Sequence, residues 1–442
     1  MRKNFSMRVL IVSMAALTAL TPVAAGADTL TEAMISAVES NPTLAAQRQR
    51  LRATREALPQ AWSEALPQLS ISGGATARDT DSDNPFLDTD RREDWSASAN
   101  ASQLLFGSGR VLASTRAARA QIRGAVADYD ATVQTLLLDV TRAYADMRQA
   151  QQIVEARETT VSNLTRLLEY AQAQFDAGVV TRTDVAQSQA RLAQARTQLV
   201  QAQGALAAAV QAYLRLVGRP PSDLQPPPMA QGLPRDLDIA LETAGRRSPV
   251  LRSAVADTEL ADANVDAAAA QGRARVTLEA GQSIGADFDD DTTESMTDTV
   301  GVRVSIPLFQ GGLIRSRTRQ QRALRSAANL DLAATQRAVQ ESVTNAWTGL
   351  ASARASVDSA REQVEAAELA YEGVRLEQET GLRATFEVLE QEQNLLDARL
   401  ALAQAERDLV VAERQLLAAV GELDIPQVSG AAPPQDDQLR GR

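Results

Sequence analysis

Phe175-Asp-Ala-Gly178-Val-Val-Thr-Arg-Thr-Asp184 and, 203 residues later, Gln378-Glu-Thr-Gly381-Leu-Arg-Ala-Thr-Phe-Glu387 are two points where a long helical pattern stops and turns back. Ahead of the first, Val126, Val133, Val140, Met147, Val154, Val161, Leu168 and Phe175 fall seven residues apart. Tyr129, Leu136, Ala143, Ala150, Leu164 and Ala171 fill most of the second apolar position. Sustained 3.5-residue spacing marks a coiled coil. Ahead of the second, Val343, Leu350, Val357, Val364 and Tyr371 interleave with Ala346, Ala353, Ala360 and Ala367. Alanine at that position lets helix backbones approach closely. No proline occurs between Pro85 and Pro220, or between Pro307 and Pro426, so nothing in either stretch breaks a helix. The pattern predicts a helix over about 108–177, roughly 105 Å long at 1.5 Å per residue. Gly178 and Gly381 then supply left-handed caps, and return helices follow at about 182–217 and 384–420. Each half of the chain is an α-hairpin bent at its glycine.

The halves are copies of one another. Leu30, Pro42 and Leu44 match Leu237, Pro249 and Leu251 at an offset of 207. From Leu105-Phe106, which matches Leu308-Phe309, the offset is 203 and holds without a gap through Gly178/Gly381 to Gly218/Gly421. An ungapped register with matched glycines at both turns indicates a duplicated unit. One connecting loop is therefore shorter in the second copy. The copies span 28–235 and 236–424, joined through the proline-rich stretch Gly218–Pro234; residues 425–442 read as a disordered tail.

Ahead of each long helix lie two period-2 stretches, predicted as strands at about 68–80, 94–106, 275–288 and 299–309. Leu69, Ile71, Gly73, Ala75 and Ala77 alternate with Ser70, Ser72, Thr76 and Arg78, and Val300, Val302, Val304 and Ile306 with Gly301, Arg303 and Ser305. Runs of about ten residues are the length of a tilted membrane-spanning strand. Acidic segments, Asp79–Asp94 and Asp287–Asp298, link the pairs. Four strands cannot close a barrel, and an open edge leaves backbone groups unsatisfied in lipid. If the strands span a membrane, several chains share one barrel; the other reading is a water-soluble sheet beside a coiled coil.

Composition narrows the function. The chain has 442 residues, a net charge of −11, and neither Cys nor His. That excludes a thiol nucleophile, a Cys/His zinc site, a His base and a lipidated N-terminal cysteine. No catalytic or cofactor-binding motif is present, so neither an enzyme nor a cofactor is expected. The acidic balance argues against nucleic acid. Arg2, Lys3 and Arg8, an apolar stretch from Val9 to Leu20 and Ala25-Gly26-Ala27 read as a signal peptide, residues 1–27, cleaved to leave Asp28 first. No later apolar run is long enough for a transmembrane helix.

These features resemble the TolC family of outer-membrane export ducts over nearly the whole mature chain. The likeness rests on the duplication, the strand-strand-long-helix order, Leu105-Phe-Gly-Ser-Gly109 and Leu308-Phe-Gln-Gly-Gly312, and above all the two tips. It implies an α+β membrane protein: a homotrimer with a shared twelve-stranded barrel in outer-membrane lipid, continued by a helical tunnel through the periplasm. It also implies partners at the far end, namely a periplasmic adaptor and an inner-membrane ABC or RND transporter. Export of proteins or of small toxic compounds would follow. The alternative function is a soluble periplasmic coiled-coil adaptor. Family members close and charge-select the periplasmic end with an Arg and two acids on one tip and an acid on the other. Arg383, Glu387, Glu390 and Asp184 hold the matching positions, with Glu where the family has Asp. Gln378 stands where an aromatic residue is frequent. Arg383 and Glu387 are also simply an i,i+4 surface pair. Crowding of Glu387 and Glu390 in a trimer is expected to raise some carboxylate pKa values. Gly178, Val179, Gly381 and Leu382 place a small and an apolar residue at each bend, as adaptor-docking knobs. Phe106 and Phe309, at the strand-to-helix junctions, are interfacial anchors or packing residues, with packing favoured.

Overall fold

The computed structural model describes residues 28–79, 92–287 and 294–425. The expected signal peptide, the tail beyond residue 425 and the centres of both acidic loops lie outside them. Helices α1 (Leu30–Ser40), α2 (Pro42–Arg55) and α3 (Ala57–Ser63) lead into strands β1 (Gln68–Arg78) and β2 (Arg92–Phe106). Two long helices follow, α4 (Arg110–Asp176) and α5 (Arg182–Val217). The order then recurs as α6 (Leu237–Arg247), α7 (Pro249–Ala270), β3 (Arg275–Asp287), β4 (Ser295–Ser305), α8 (Leu313–Glu379) and α9 (Thr385–Val420). Both long helices have 67 residues and both return helices 36. One difference has a local cause. Where α7 is continuous, its counterpart breaks into α2 and α3 after Arg55, because Pro59 lies four residues on and its ring clashes with that carbonyl.

The strands form one antiparallel sheet in the order β1-β2-β3-β4. Opposite residues share a face, so the register sorts the side chains. Ile71, Ala99 and Gln282 lie across one face with Val302 and Val300 nearby; Ser72, Ser98 and Ser283 lie on the other. One face is thus largely apolar and the other polar, the latter carrying the Arg303–Glu279 ion pair at 2.7 Å. The predicted strand at about 299–309 is corrected: β4 begins at Ser295 and stops at Ser305. Ser305 already faces Arg275, the first residue of β3, and Pro307 has no N–H for the ladder. The expectation that Phe106 and Phe309 pack inside is also corrected. A bulge between Leu104 and Phe106 skips Leu105 and sets Phe106 opposite Val276 on the apolar face. Phe106 is 56% exposed and Phe309 89%, so neither is packed within this chain.

The helices pack where the alanine seams run. In α8, Val343, Leu350 and Val357 with Ala346, Ala353 and Ala360 are buried. In α4 the buried stripe over the upper part is Ala113, Ala120 and Ala127 rather than the Val126–Val133 seam. There α4 lies against α7, close enough that a Cβ on Gly124 would stand 3.6 Å from that of Ala256. α1 packs Leu30, Met34 and Ala37 onto Leu137, Val140 and Tyr144. α6 lays Ala240 and Ala244 on Val343, Leu350 and Leu416.

Asp28 is fully buried beside α1. Its carboxylate accepts a hydrogen bond from the Tyr213 hydroxyl at 2.8 Å and pairs with Arg219 at 2.5 Å. Its N–H donates to the Asp223 carbonyl at 2.8 Å, and the Tyr144 hydroxyl donates to its own carbonyl at the same distance. Burial, with Asp28 beside it, pushes the Tyr144 phenol up to about 12. The residue expected to be first after cleavage therefore pins the start of the chain to the inter-repeat linker. Mass spectrometry of the membrane-extracted protein is expected to give Asp28 as its first residue; an intact Met1 would overturn the assignment of residues 1–27.

The hairpin tips as a candidate functional site

Both bends are built the same way. Gly178 and Gly381 have φ of 75° and 78°, the left-handed region open to glycine. The N–H of Val179 donates to the Gln174 carbonyl and that of Gly178 to Phe175. Leu382 to Glu377 and Gly381 to Gln378 repeat the pattern, so both are Schellman caps. In such caps the residue after the glycine usually packs back on the helix. Here the positions it would meet are Gln174 and Glu377, and Val179 and Leu382 stay 69% and 77% exposed. Each tip thus ends in a glycine with one projecting apolar side chain.

Asp184 and Glu387 occupy equivalent places and first cap their own helices. The Asp184 carboxylate accepts from the Thr181 N–H at 3.0 Å and hydroxyl at 2.8 Å, a full capping box. In the second copy Ala384 replaces the threonine, so only the acid's half survives: Glu387 accepts from the Ala384 N–H at 3.3 Å. Arg383 donates to Glu387 at 2.7 Å and to Glu377 at 2.8 Å. Within one chain Arg383 is therefore engaged by its own hairpin, and Asp184 by Thr181. Glu390 is exposed one turn further along α9. The hydrogen bond from Arg383, then that from Ala384, holds the Glu387 carboxyl below its usual range. Within the chain the nearest charge to Glu387 is a cation, whereas the upward shift expected from crowding belongs to the rings of three chains.

One buried group here has no counterpart in the sequence reading. Glu392, on α9, is 4% exposed. The Asn163 side-chain amide, on α4, donates to its two oxygens at 3.1 and 3.2 Å. Tyr371, on α8, lies beside it, and burial, then the charge of Glu392, pushes that phenol up to about 12. This carboxylate ties the first hairpin to the second. Glu392 lines a cleft of about 930 Å³ edged by Arg166, Arg375 and Arg399. Gln378 is buried at its lower end.

A sheet with one apolar face, two open edges and two helical hairpins of roughly 100 Å defines a segment of duct wall rather than an enclosed domain. Comparison with known proteins agrees. The family model described as "Outer membrane efflux protein" matches residues 34–219 and 240–422. The chain belongs to this family. It is 31% identical over 416 residues to the outer membrane efflux protein BepC of Brucella suis, covering 93% of this chain and 89% of BepC. It is 26% identical over 407 residues to the outer membrane protein TolC of Vibrio cholerae, covering 90% of this chain and 91% of that one. The Campylobacter jejuni CmeC outer membrane channel shares the fold with a TM-score of 0.80 at 17% identity, over 92% of this chain and 88% of CmeC. The protein is thus an outer-membrane efflux protein, seated in the outer membrane and extending into the periplasm.

Proposed function

We propose that the protein is a passive export duct, without a reaction of its own, formed by three copies that close one twelve-stranded barrel. The carrying observation is that β1 and β4 are both unpaired edges of a sheet with an apolar face. Lipid cannot satisfy their N–H and C=O groups, so the edges of neighbouring chains pair. The duplication supports a register for that pairing. Within the chain the first copy meets the second through β2 and β3, with Ala99 opposite Gln282. Moving each residue to its equivalent in the other copy sets Val302 of one protomer opposite Ala75 of the next. The same shift carries the α4–α7 contact to a contact between α8 and the next protomer's α2.

The tips are the periplasmic end of this duct. Gly178, Val179, Gly381 and Leu382 form the docking knobs for a periplasmic adaptor, which couples the duct to an inner-membrane ABC or RND transporter that supplies the energy. Arg383, Glu387, Glu390 and Asp184 form the gate. Glu387 and Glu390 share a helix face, so three chains bring them together as two rings of carboxylates that concentrate cations. The Asn163–Glu392 hydrogen bonds hold the two hairpins of each protomer together just above the gate.

A cysteine pair tests the assembly, since the chain has no cysteine of its own. Directly opposed strand residues lie about 4.5–5.5 Å apart at Cα, within disulfide reach. A Val302→Cys/Ala75→Cys double variant, oxidised in outer membranes, is expected to run as a trimer on non-reducing gels, with single variants monomeric. A double variant that stays monomeric, or cross-links only after a one-residue shift, would refute this register.

A further inference from the structure

The chain is acidic overall, yet two segments carry no acid at all. Residues 95–127 hold Arg110, Arg116, Arg119 and Arg123; residues 299–330 hold Arg303, Arg315, Arg317, Arg319, Arg322 and Arg325. Both run from a membrane strand into the first turns of a long helix. Arg116 and Arg119 are the counterparts of Arg319 and Arg322, so the feature is present in both copies.

Part of this charge is neutralised locally. Arg116, Arg123 and Arg325 face Asp266, Glu259 and Asp262 of α7, and Arg110 faces Glu64. Arg317 donates to the Gln271 side chain. Arg315, Arg319 and Arg322 are different: all are exposed in the single chain, and among the described residues none has an ion pair or hydrogen bond. In the trimer proposed above, Arg319, the counterpart of Arg116, comes to the seam with the next protomer, where Pro59 stands at the place of Asp266, so no acid meets it there. Spaced at i, i+4 and i+7, they form one face of α8. They begin three residues after Gly312, so all three lie within about 15 Å of the helix start at 1.5 Å per residue. Directly ahead of that start, Ile306, Leu308 and Phe309 are exposed, Leu308 by 93%.

The face also has a direction. Val343, Trp347 and Leu350 stand four heptads below Arg315, Arg319 and Arg322, on the same stripe of a coiled-coil helix. There α6 packs against that stripe. Three copies of α6 laid inside the tunnel would obstruct it, so α6 and the arginine face lie on its outside. This step rests on the duct reading above.

We infer that Arg315, Arg319 and Arg322, with Leu308 and Phe309, bind the headgroups of anionic phospholipids in the periplasmic leaflet of the outer membrane. The apolar pair enters the acyl region and the guanidinium groups meet the phosphates, for which their planar donor fork is suited. Headgroups occupy only several ångströms beyond the hydrocarbon, within reach of arginines on the first turns of α8. In each trimer the sites form a collar that sets how deep the barrel sits and favours anionic lipid around it.

Native mass spectrometry of the detergent-solubilised, full-length protein tests this with added phosphatidylglycerol or phosphatidylcholine. The wild type is expected to retain phosphatidylglycerol well above phosphatidylcholine. One arginine near an anionic surface is worth roughly a fivefold change in affinity, so Arg315→Gln/Arg319→Gln/Arg322→Gln is expected to weaken retention at least tenfold. A control neutralising Arg191 and Arg196, exposed on α5 far from the barrel, should bind as wild type does. Equal retention of the two lipids, an unchanged triple variant, or equal loss in the control overturns the assignment. Displacement by millimolar inorganic phosphate would show a free-phosphate site and overturn it too. The readout is lipid retention, so it can fail while the Val302–Ala75 cross-link forms, and the reverse.

Discussion

Replacing Gly178 and Gly381 together with tryptophan is expected to abolish export while leaving trimers in the outer membrane. A Cβ added at either glycine meets nothing within 4 Å, so the bulk projects into solvent and leaves the hairpin core alone. Two effects then combine. The left-handed φ costs an L-residue about 1–2 kcal/mol per site, a local strain in a helix end. The indole also covers the space beside Val179 or Leu382, where a partner hairpin would pack against a bare backbone. Asparagine separates the two, because it adopts the left-handed conformation readily and is small. Gly178→Asn/Gly381→Asn is expected to keep most export. Export would be measured as resistance to a pumped compound or as secreted protein, with outer-membrane fractionation as the control for assembly. Full export by the tryptophan variant would remove the tips from partner docking. Loss of trimers in it would show that the bends serve folding instead.

Neutralising the gate acids is the second large effect. Glu387→Ala/Glu390→Ala is expected to reduce cation selectivity and block by multivalent cations in planar-bilayer recordings, because both carboxylate rings go at once. Arg383→Ser is expected to raise conductance, since it frees Glu387 and Glu377 from the tie across the bend. The pH dependence carries a sign. The Arg383 hydrogen bond holds the Glu387 carboxyl low. Glu387 therefore keeps its charge, and the pore its selectivity, to a lower pH than an unpaired glutamate would allow. Without Arg383 the carboxyl returns upward, and neighbouring rings push it further. Selectivity of Arg383→Ser is then expected to disappear at a higher pH than that of the wild type. If the double glutamate variant keeps full selectivity and block, the acids are a solvated helix surface and the constriction lies elsewhere.

Much of the architecture could be read from the residues in order, because its causes are local. A glycine at the end of a heptad run forces a turn wherever it occurs, and Gly178 and Gly381 do so here. Long proline-free stretches permit helices of 67 residues, and the ungapped offset makes their lengths equal. Period-2 alternation marked the strands for the same reason: facing is settled by neighbours in sequence. Two local signals were nonetheless passed over. Thr181-x-x-Asp184 is a capping box in plain view, which assigns Asp184 to its own helix end before any gate. Pro59 foretells the break between α2 and α3.

What tertiary structure alone decided concerns residues far apart along the chain. Nothing near Glu392 announces that Asn163, 229 positions away, will hold its carboxylate in a buried link between the hairpins. The heptad pattern assigns that stretch to a helix surface and cannot choose which neighbour covers it. The bulge that swings Phe106 onto the apolar face depends on the register with β3, not on the sequence of β2. Asp28 likewise reads as the remnant of a cleavage site until folding surrounds it with Tyr213 and Arg219. Periodicity and turn chemistry act over a few residues and so can be read in order; burial and pairing depend on which distant segments meet, and only the packed chain settles that.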